Sequence, residues 1–147
     1  MWNAAKEMLD HRSGTKFEDL AFIDSKTGKT LIRKDYNVER KVLPTKAMKK
    51  YVTEHEPYTI IAIHNHPGSS VPSVQDLDTA FKKKYKFGVA CGHNGTVFKY
   101  SVAKQFNYQE IDYLLDILQK SVYNEDARRT ASILDRLSEL GIRLEVL

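Results

Sequence analysis

Two of the chain's five histidines, His64 and His66, stand two positions apart at the end of the apolar run Tyr58-Thr59-Ile60-Ile61-Ala62-Ile63. Alternate residues of an extended strand point to the same face, so the two imidazoles can converge on one ion without bending the backbone. Pro67 disfavours the α conformation at His66 and keeps the strand extended to its last residue. Downstream, Pro72-Ser73-Val74-Gln75-Asp76 reads as a helix start, with Ser73 as N-cap and Asp76 at N3. A carboxylate in that first turn sits beside the loop returning from His66, where it can serve as a third, anionic ligand. Two His, one carboxylate and an open position describe a catalytic zinc site rather than a closed structural one. Zinc in such a site lowers the pKa of a water toward about 7. The same donors also suit Fe(II) oxygen chemistry. Singly, each residue has a plainer reading: Ser73 and Asp76 as a helix cap, Pro67-Gly68 as a turn.

The elements that must position these groups follow from periodicity. Residues 2–11 carry Ala4, Ala5, Met8 and Leu9 at helical spacing, with Ser13-Gly14 as a stop. Residues 17–23 read as a strand, 24–29 as a turn and 30–32 as its return. After a polar stretch over 35–42, Pro44-Thr45 opens a helix whose Ala47, Met48, Tyr51 and Val52 share a face and which ends before Pro57. Residues 58–63 are continuously apolar and rich in β-branched side chains, the pattern of a central strand buried on both faces. A helix over 73–85, a buried strand over 87–91, the Asn94-Gly95 turn and a strand over 96–100 follow. Ile111, Leu114, Leu115, Leu118 and Val122 mark one amphipathic helix; Ile133, Leu134, Leu137 and Leu140 mark a second, ended by Gly141. The expected fold class is α/β (α+β), a mixed β-sheet flanked by helices over residues 1–104. Residues 105–147 form a C-terminal two-helix extension packed on that core or on a partner.

Composition bounds the function. At 147 residues, with 41% hydrophobic and 29% charged residues, the chain suits one globular domain able to fold without a metal. The single cysteine, Cys91, excludes an internal disulfide framework and Cys-rich zinc modules, and its apolar strand marks it as a buried small hydrophobe. No apolar run approaches the roughly 20 residues that span a bilayer, and no signal-peptide core follows Met1, so the expectation is a cytoplasmic protein without a membrane partner. The net charge of +4 is compatible with nucleic acid but does not demand it. Its basic groups, Arg40-Lys41, Lys49-Lys50 and Lys82-Lys83-Lys84, read as solvated surface.

His64-Asn65-His66-Pro67 followed by Ser73-Val74-Gln75-Asp76 resembles the signature of the JAMM/MPN (JAB-type) zinc metallopeptidases, and the HNHP spelling is closest to their bacterial RadC-like branch. The order of elements over residues 2–102 is similar to that family's cytidine-deaminase-like fold. The resemblance implies Zn2+ held by His64, His66 and Asp76, an upstream Glu as general base, and Ser73 as a donor to the tetrahedral oxyanion. Such a donor is usually worth about 3–4 kcal/mol. Glu18, at the mouth of the first strand, matches the family's base, with Glu39 as its rival. Nine residues separate His66 from Asp76, where the family usually has ten, and the missing one falls within residues 68–71. The implied activity is hydrolysis of a peptide or isopeptide bond in a peptide or protein substrate, including a ubiquitin-like or processed protein. The alternatives are a catalytically silent MPN-fold interaction module assembling through its C-terminal helices, and a RadC-like DNA-associated protein. His93, just past a buried strand, reads as a turn residue that can line the site. The letters His64-Asn65-His66 also spell a nuclease family's name, but that motif spreads its residues over a different unit.

Overall fold

A computed structural model of the chain describes residues 1–12, 15–34 and 45–147. Ser13-Gly14, the polar stretch from Asp35, Glu39 and Pro44 lie outside the described residues. The elements run α1 (Trp2–Arg12), β1 (Leu20–Asp24), β2 (Thr30–Lys34), α2 (Lys46–Glu54), β3 (Ile60–His66), α3 (Val74–Lys82), β4 (Phe87–Gly92), β5 (Val97–Val102), α4 (Tyr108–Tyr123), α5 (Ala127–Glu139) and β6 (Ile142–Val146). The strands form one six-stranded sheet in the order β2-β1-β3-β4-β5-β6. Only β3 and β4 pair in parallel; every other neighbouring pair is antiparallel. This is a mixed α/β fold.

Side-chain alternation divides the core in two. Leu20, Phe22, Ile60, Ala62, Ala90, Phe98 and Tyr100 point to the larger side, where Met48 of α2, Leu77 of α3, Ile111, Leu115 and Leu118 of α4, and Ile133 and Leu137 of α5 cover them. Ala21, Ile23, Ile61, Ile63, Val89 and Cys91 point to the other side, covered by Ala5 and Met8 of α1. The sheet is therefore a middle layer between α1 and the remaining helices. All seven residues of β3 are buried, as a strand sandwiched between two layers requires.

The helices start where side chains can satisfy orphan amides. Thr45 accepts from the Met48 amide at 3.2 Å to open α2, and Asn107 accepts from that of Glu110 at 2.9 Å to open α4. Between β4 and β5 the tight turn places Gly95 at φ +89°, a conformation that favours glycine. Among the described residues no helix is long and apolar enough to cross a membrane.

Beyond the two C-terminal helices the sequence reading assigns nothing after Gly141, and here the structure adds an element. Gly141, at φ +86°, turns the chain into β6, which pairs antiparallel with β5 from Val102 opposite Ile142 to Phe98 opposite Val146. Ile142 and Leu144 are buried in the larger core while Arg143 is exposed. The alternating Ile142-Arg143-Leu144-Glu145-Val146 carries a strand's period, but over too few residues to stand out after a long helical pattern. Ile142→Ala is expected to lower the unfolding free energy by about 2–5 kcal/mol in urea denaturation. An effect near zero would mean that β6 is not an integral strand of the sheet.

Candidate metal centre

Pairing on both flanks holds the end of β3 rigid: His64 lies opposite Leu20 of β1 and Ala90 of β4, and His66 opposite Gly92. Because β3 and β4 are parallel, the chain must cross over the sheet between them. The loop over 67–72 and helix α3 make this crossing on the face that His64 and His66 share with Ile60 and Ala62. The helix opens with the expected capping box. Ser73 Oγ accepts from the Asp76 amide at 3.1 Å, and Asp76 Oδ2 accepts from the Ser73 amide at 2.7 Å. That same Oδ2 lies 3.5 Å from His64 Nε2 and 3.5 Å from His66 Nε2, and the two nitrogens are 2.7 Å apart. Three donor atoms from two elements thus meet at one point, and among the described residues they form the one such His/Cys/Asp/Glu group.

The chemistry of this donor set fits a divalent cation. His66 Nδ1 lies 2.9 Å from the carbonyl oxygen of Ser70. A carbonyl only accepts, so Nδ1 carries the hydrogen, and neutral His66 then presents a bare lone pair at Nε2, toward His64 and Asp76. This is the arrangement in which an outer hydrogen bond fixes a ligand's tautomer. Bonds of about 2.0–2.1 Å in a tetrahedral zinc site set neighbouring donors roughly 3.4 Å apart, close to both Asp76–His separations. The two imidazole nitrogens are closer, at hydrogen-bond distance from each other. Burial pushes the His66 pKa down, but the Asp76 carboxylate outweighs it, and the net shift is upward. Burial likewise opposes the charge on Asp76, and His64 and His66 overcome it, holding the carboxyl well below the usual carboxylate range.

Glu18 is brought to the same place by β1. Antiparallel pairing sets Leu20 opposite His64, and Glu18 stands two residues before that pair, just outside the ladder. Glu18 and His66 line one cavity of about 480 Å³ with Lys16 and Ser70, and the Glu18 charge acts on the His66 imidazole. Ser73 is exposed, and its hydroxyl oxygen accepts at the helix cap, which leaves its proton for a further acceptor. Glu39 is outside the described residues. His93 accepts at Nε2 from Asn65 Nδ2 at 2.8 Å, so it abuts the back of β3 rather than joining the three ligands.

Several supporting residues went unread in the sequence. Asn65 points away from the ligand face and bonds to the segment bearing Glu18. Its neighbour there, Asp19, is fully buried and receives Arg12 Nε at 2.5 Å, an Arg33 terminal nitrogen at 2.8 Å and His11 Nδ1 at 3.0 Å. The Arg12 guanidinium also lies over the Phe17 ring, 5.5 Å from its centroid. On the other side of the site, the short loop is tied down by α4: the Val71 amide donates to Gln119 Oε1 at 2.7 Å. The Ser69 amide donates to the His66 carbonyl, and Ser69 Oγ accepts from the Asn94 amide. For Asn65 the period-two pattern carried a signal, since a polar residue between two ligands must face a core. The partners of Asp19 and Val71 come from distant segments and leave no local pattern.

Comparison of the chain with protein-family models and with curated proteins finds no significant match.

Burial would raise the Asp19 pKa, but the hydrogen bonds from Arg33, His11 and Arg12 prevail and lower it. A depressed folded-state value stabilises the fold above the unfolded value near pH 4, and that contribution is lost as pH falls through the folded value. Asp19→Ala removes a buried carboxylate from the buried Arg12 cation and is expected to cost about 3–5 kcal/mol at pH 7. Urea denaturation should give a smaller gap between variant and wild type at pH 3 than at pH 7; a gap that grows on acidification would contradict this assignment.

Proposed function

We propose that the chain is a zinc-dependent hydrolase of the JAMM/MPN type that cleaves a peptide or isopeptide bond. The observation that supports this reading is the convergence of His64, His66 and Asp76 on one point, beside a cavity that Glu18 lines. The open sheet with a parallel β3–α3–β4 unit is compatible with the MPN fold that the motif resembles.

His64 Nε2, His66 Nε2 and a carboxylate oxygen of Asp76 would hold the zinc, which would supply a Lewis acid and bring the pKa of a water toward about 7. Around it, each residue has a separate task. Ser70 orients His66 through its carbonyl, and the Ser73 cap orients Asp76. Glu18 takes the proton from the attacking water and returns it to the leaving amine, a part that suits a carboxylate at the cavity wall. Ser73 donates its hydroxyl hydrogen to the developing oxyanion while its oxygen keeps the helix cap.

The purified protein is expected to hold one zinc, and His64→Ala to lose it, by elemental analysis. With a quenched-fluorescence peptide library and Lys-ε-linked isopeptides as probes, Glu18→Gln should retain zinc and lower kcat by about 10²–10⁴-fold. Ser73→Ala should lower it by about 10²–10³-fold. Zinc bound by the wild type with no cleavage of either probe class would instead favour a silent interaction module.

A further inference from the structure

Asn65, between the two histidines, is fully buried and makes three side-chain hydrogen bonds. Its Oδ1 accepts from the Asp19 amide at 2.7 Å, and its Nδ2 donates to the Phe17 carbonyl at 2.9 Å and to His93 Nε2 at 2.8 Å. Two of these bonds bracket Glu18: one grips the residue before it and one the residue after. Residues 18 and 19 lie outside the regular ladder, which begins at Leu20. Asn65 therefore replaces backbone pairing with a side-chain clamp at the point where the strand has stopped. A primary amide suits this task, because it offers a donor and an acceptor side by side, as a peptide group does.

We infer that Asn65 is a positioning residue: its amide fixes the backbone on both sides of Glu18 and so sets the carboxylate against the His64–His66–Asp76 centre. The inference rests on the reading of Glu18 as the base and of the three residues as metal ligands. Strand alternation gives the arrangement its economy. His64 and His66 face the ion while the residue between them, on the opposite face, holds the proton acceptor's segment. Asp19 anchors the same segment through its side chain, bound by Arg12, Arg33 and His11, so the clamp closes on a stretch that is held a second time.

The test uses cobalt(II) in place of zinc and needs no substrate. Wild type, Glu18→Gln and Asn65→Ala are compared for zinc affinity by chelator competition and for the pH midpoint of the cobalt visible spectrum. The expected result is that both variants lose less zinc affinity than the roughly 10–100-fold that removing a ligand's own hydrogen-bond partner costs, and that both displace the midpoint in the same direction. An Asn65→Ala midpoint equal to wild type, with that of Glu18→Gln displaced, overturns the positioning role and leaves the base assignment standing. A Glu18→Gln midpoint equal to wild type overturns the base assignment itself. Should Asn65→Ala fail to fold, amide exchange in the wild-type protein decides. An Asp19 amide protected as strongly as the centre of β3 supports the clamp, and exchange at the rate of an open loop overturns it.

Discussion

The parallel pairing of β3 with β4 is the constraint on which the rest of this molecule depends. Antiparallel neighbours can be joined by a tight turn, as β4 and β5 are at Asn94-Gly95, but parallel neighbours oblige the chain to cross a face of the sheet. Here the crossing is α3, and the face it takes is the one onto which His64 and His66 project. The helix must start close to where β3 ends, so its first turn arrives over the two imidazoles. The capping carboxylate of Asp76 then serves two masters: one of its oxygens accepts from the Ser73 amide and also approaches both histidines. A residue required for helix initiation is in this way already at the right place for a ligand.

The two faces of β3 divide the work. On one, His64 and His66 are buried beside Asp76, whose carboxylate lies 3.5 Å from each imidazole. On the other, Asn65 and the buried Asp19 hold the chain entering β1. Asp19 is an expensive group to bury, and three basic side chains offset that cost. Between the halves runs the short loop over 67–72, whose Val71 amide is held by Gln119. The C-terminal helices therefore touch the geometry of the site through a hydrogen bond as well as through the core they share with β5.

Much of this was legible in the sequence because it is written in short-range periods. The run from Ile60 to His66, the stop at Pro67 and the Ser73–Asp76 cap each occupy a few consecutive residues, and each appears where the pattern puts it. The hairpins and the amphipathic α4 and α5 are equally local. What escaped was either too short or too distant. In β6 a five-residue alternation follows a helix-breaking glycine. Asn65 shows its role only when residues 17 and 19 are brought beside it, separations of 48 and 46 positions. Arg33 reaches Asp19 across the width of a hairpin, and Gln119 reaches Val71 from another layer. No window on the sequence contains such partners.

The same contrast between near and far separates the two halves of the site. The three candidate ligands come from one strand and the first turn of the next helix, a unit that closes over a short stretch of chain. Glu18 reaches them only through contacts that span dozens of residues, among them the bonds of Asn65 to residues 17 and 19. A molecule whose N-terminal segment has come away from Asn65 still presents His64, His66 and Asp76 together. On the proposed reading, such a molecule would keep its ion after Glu18 had left, and the metal content of a preparation would measure how much of it has folded locally rather than how much of it is competent.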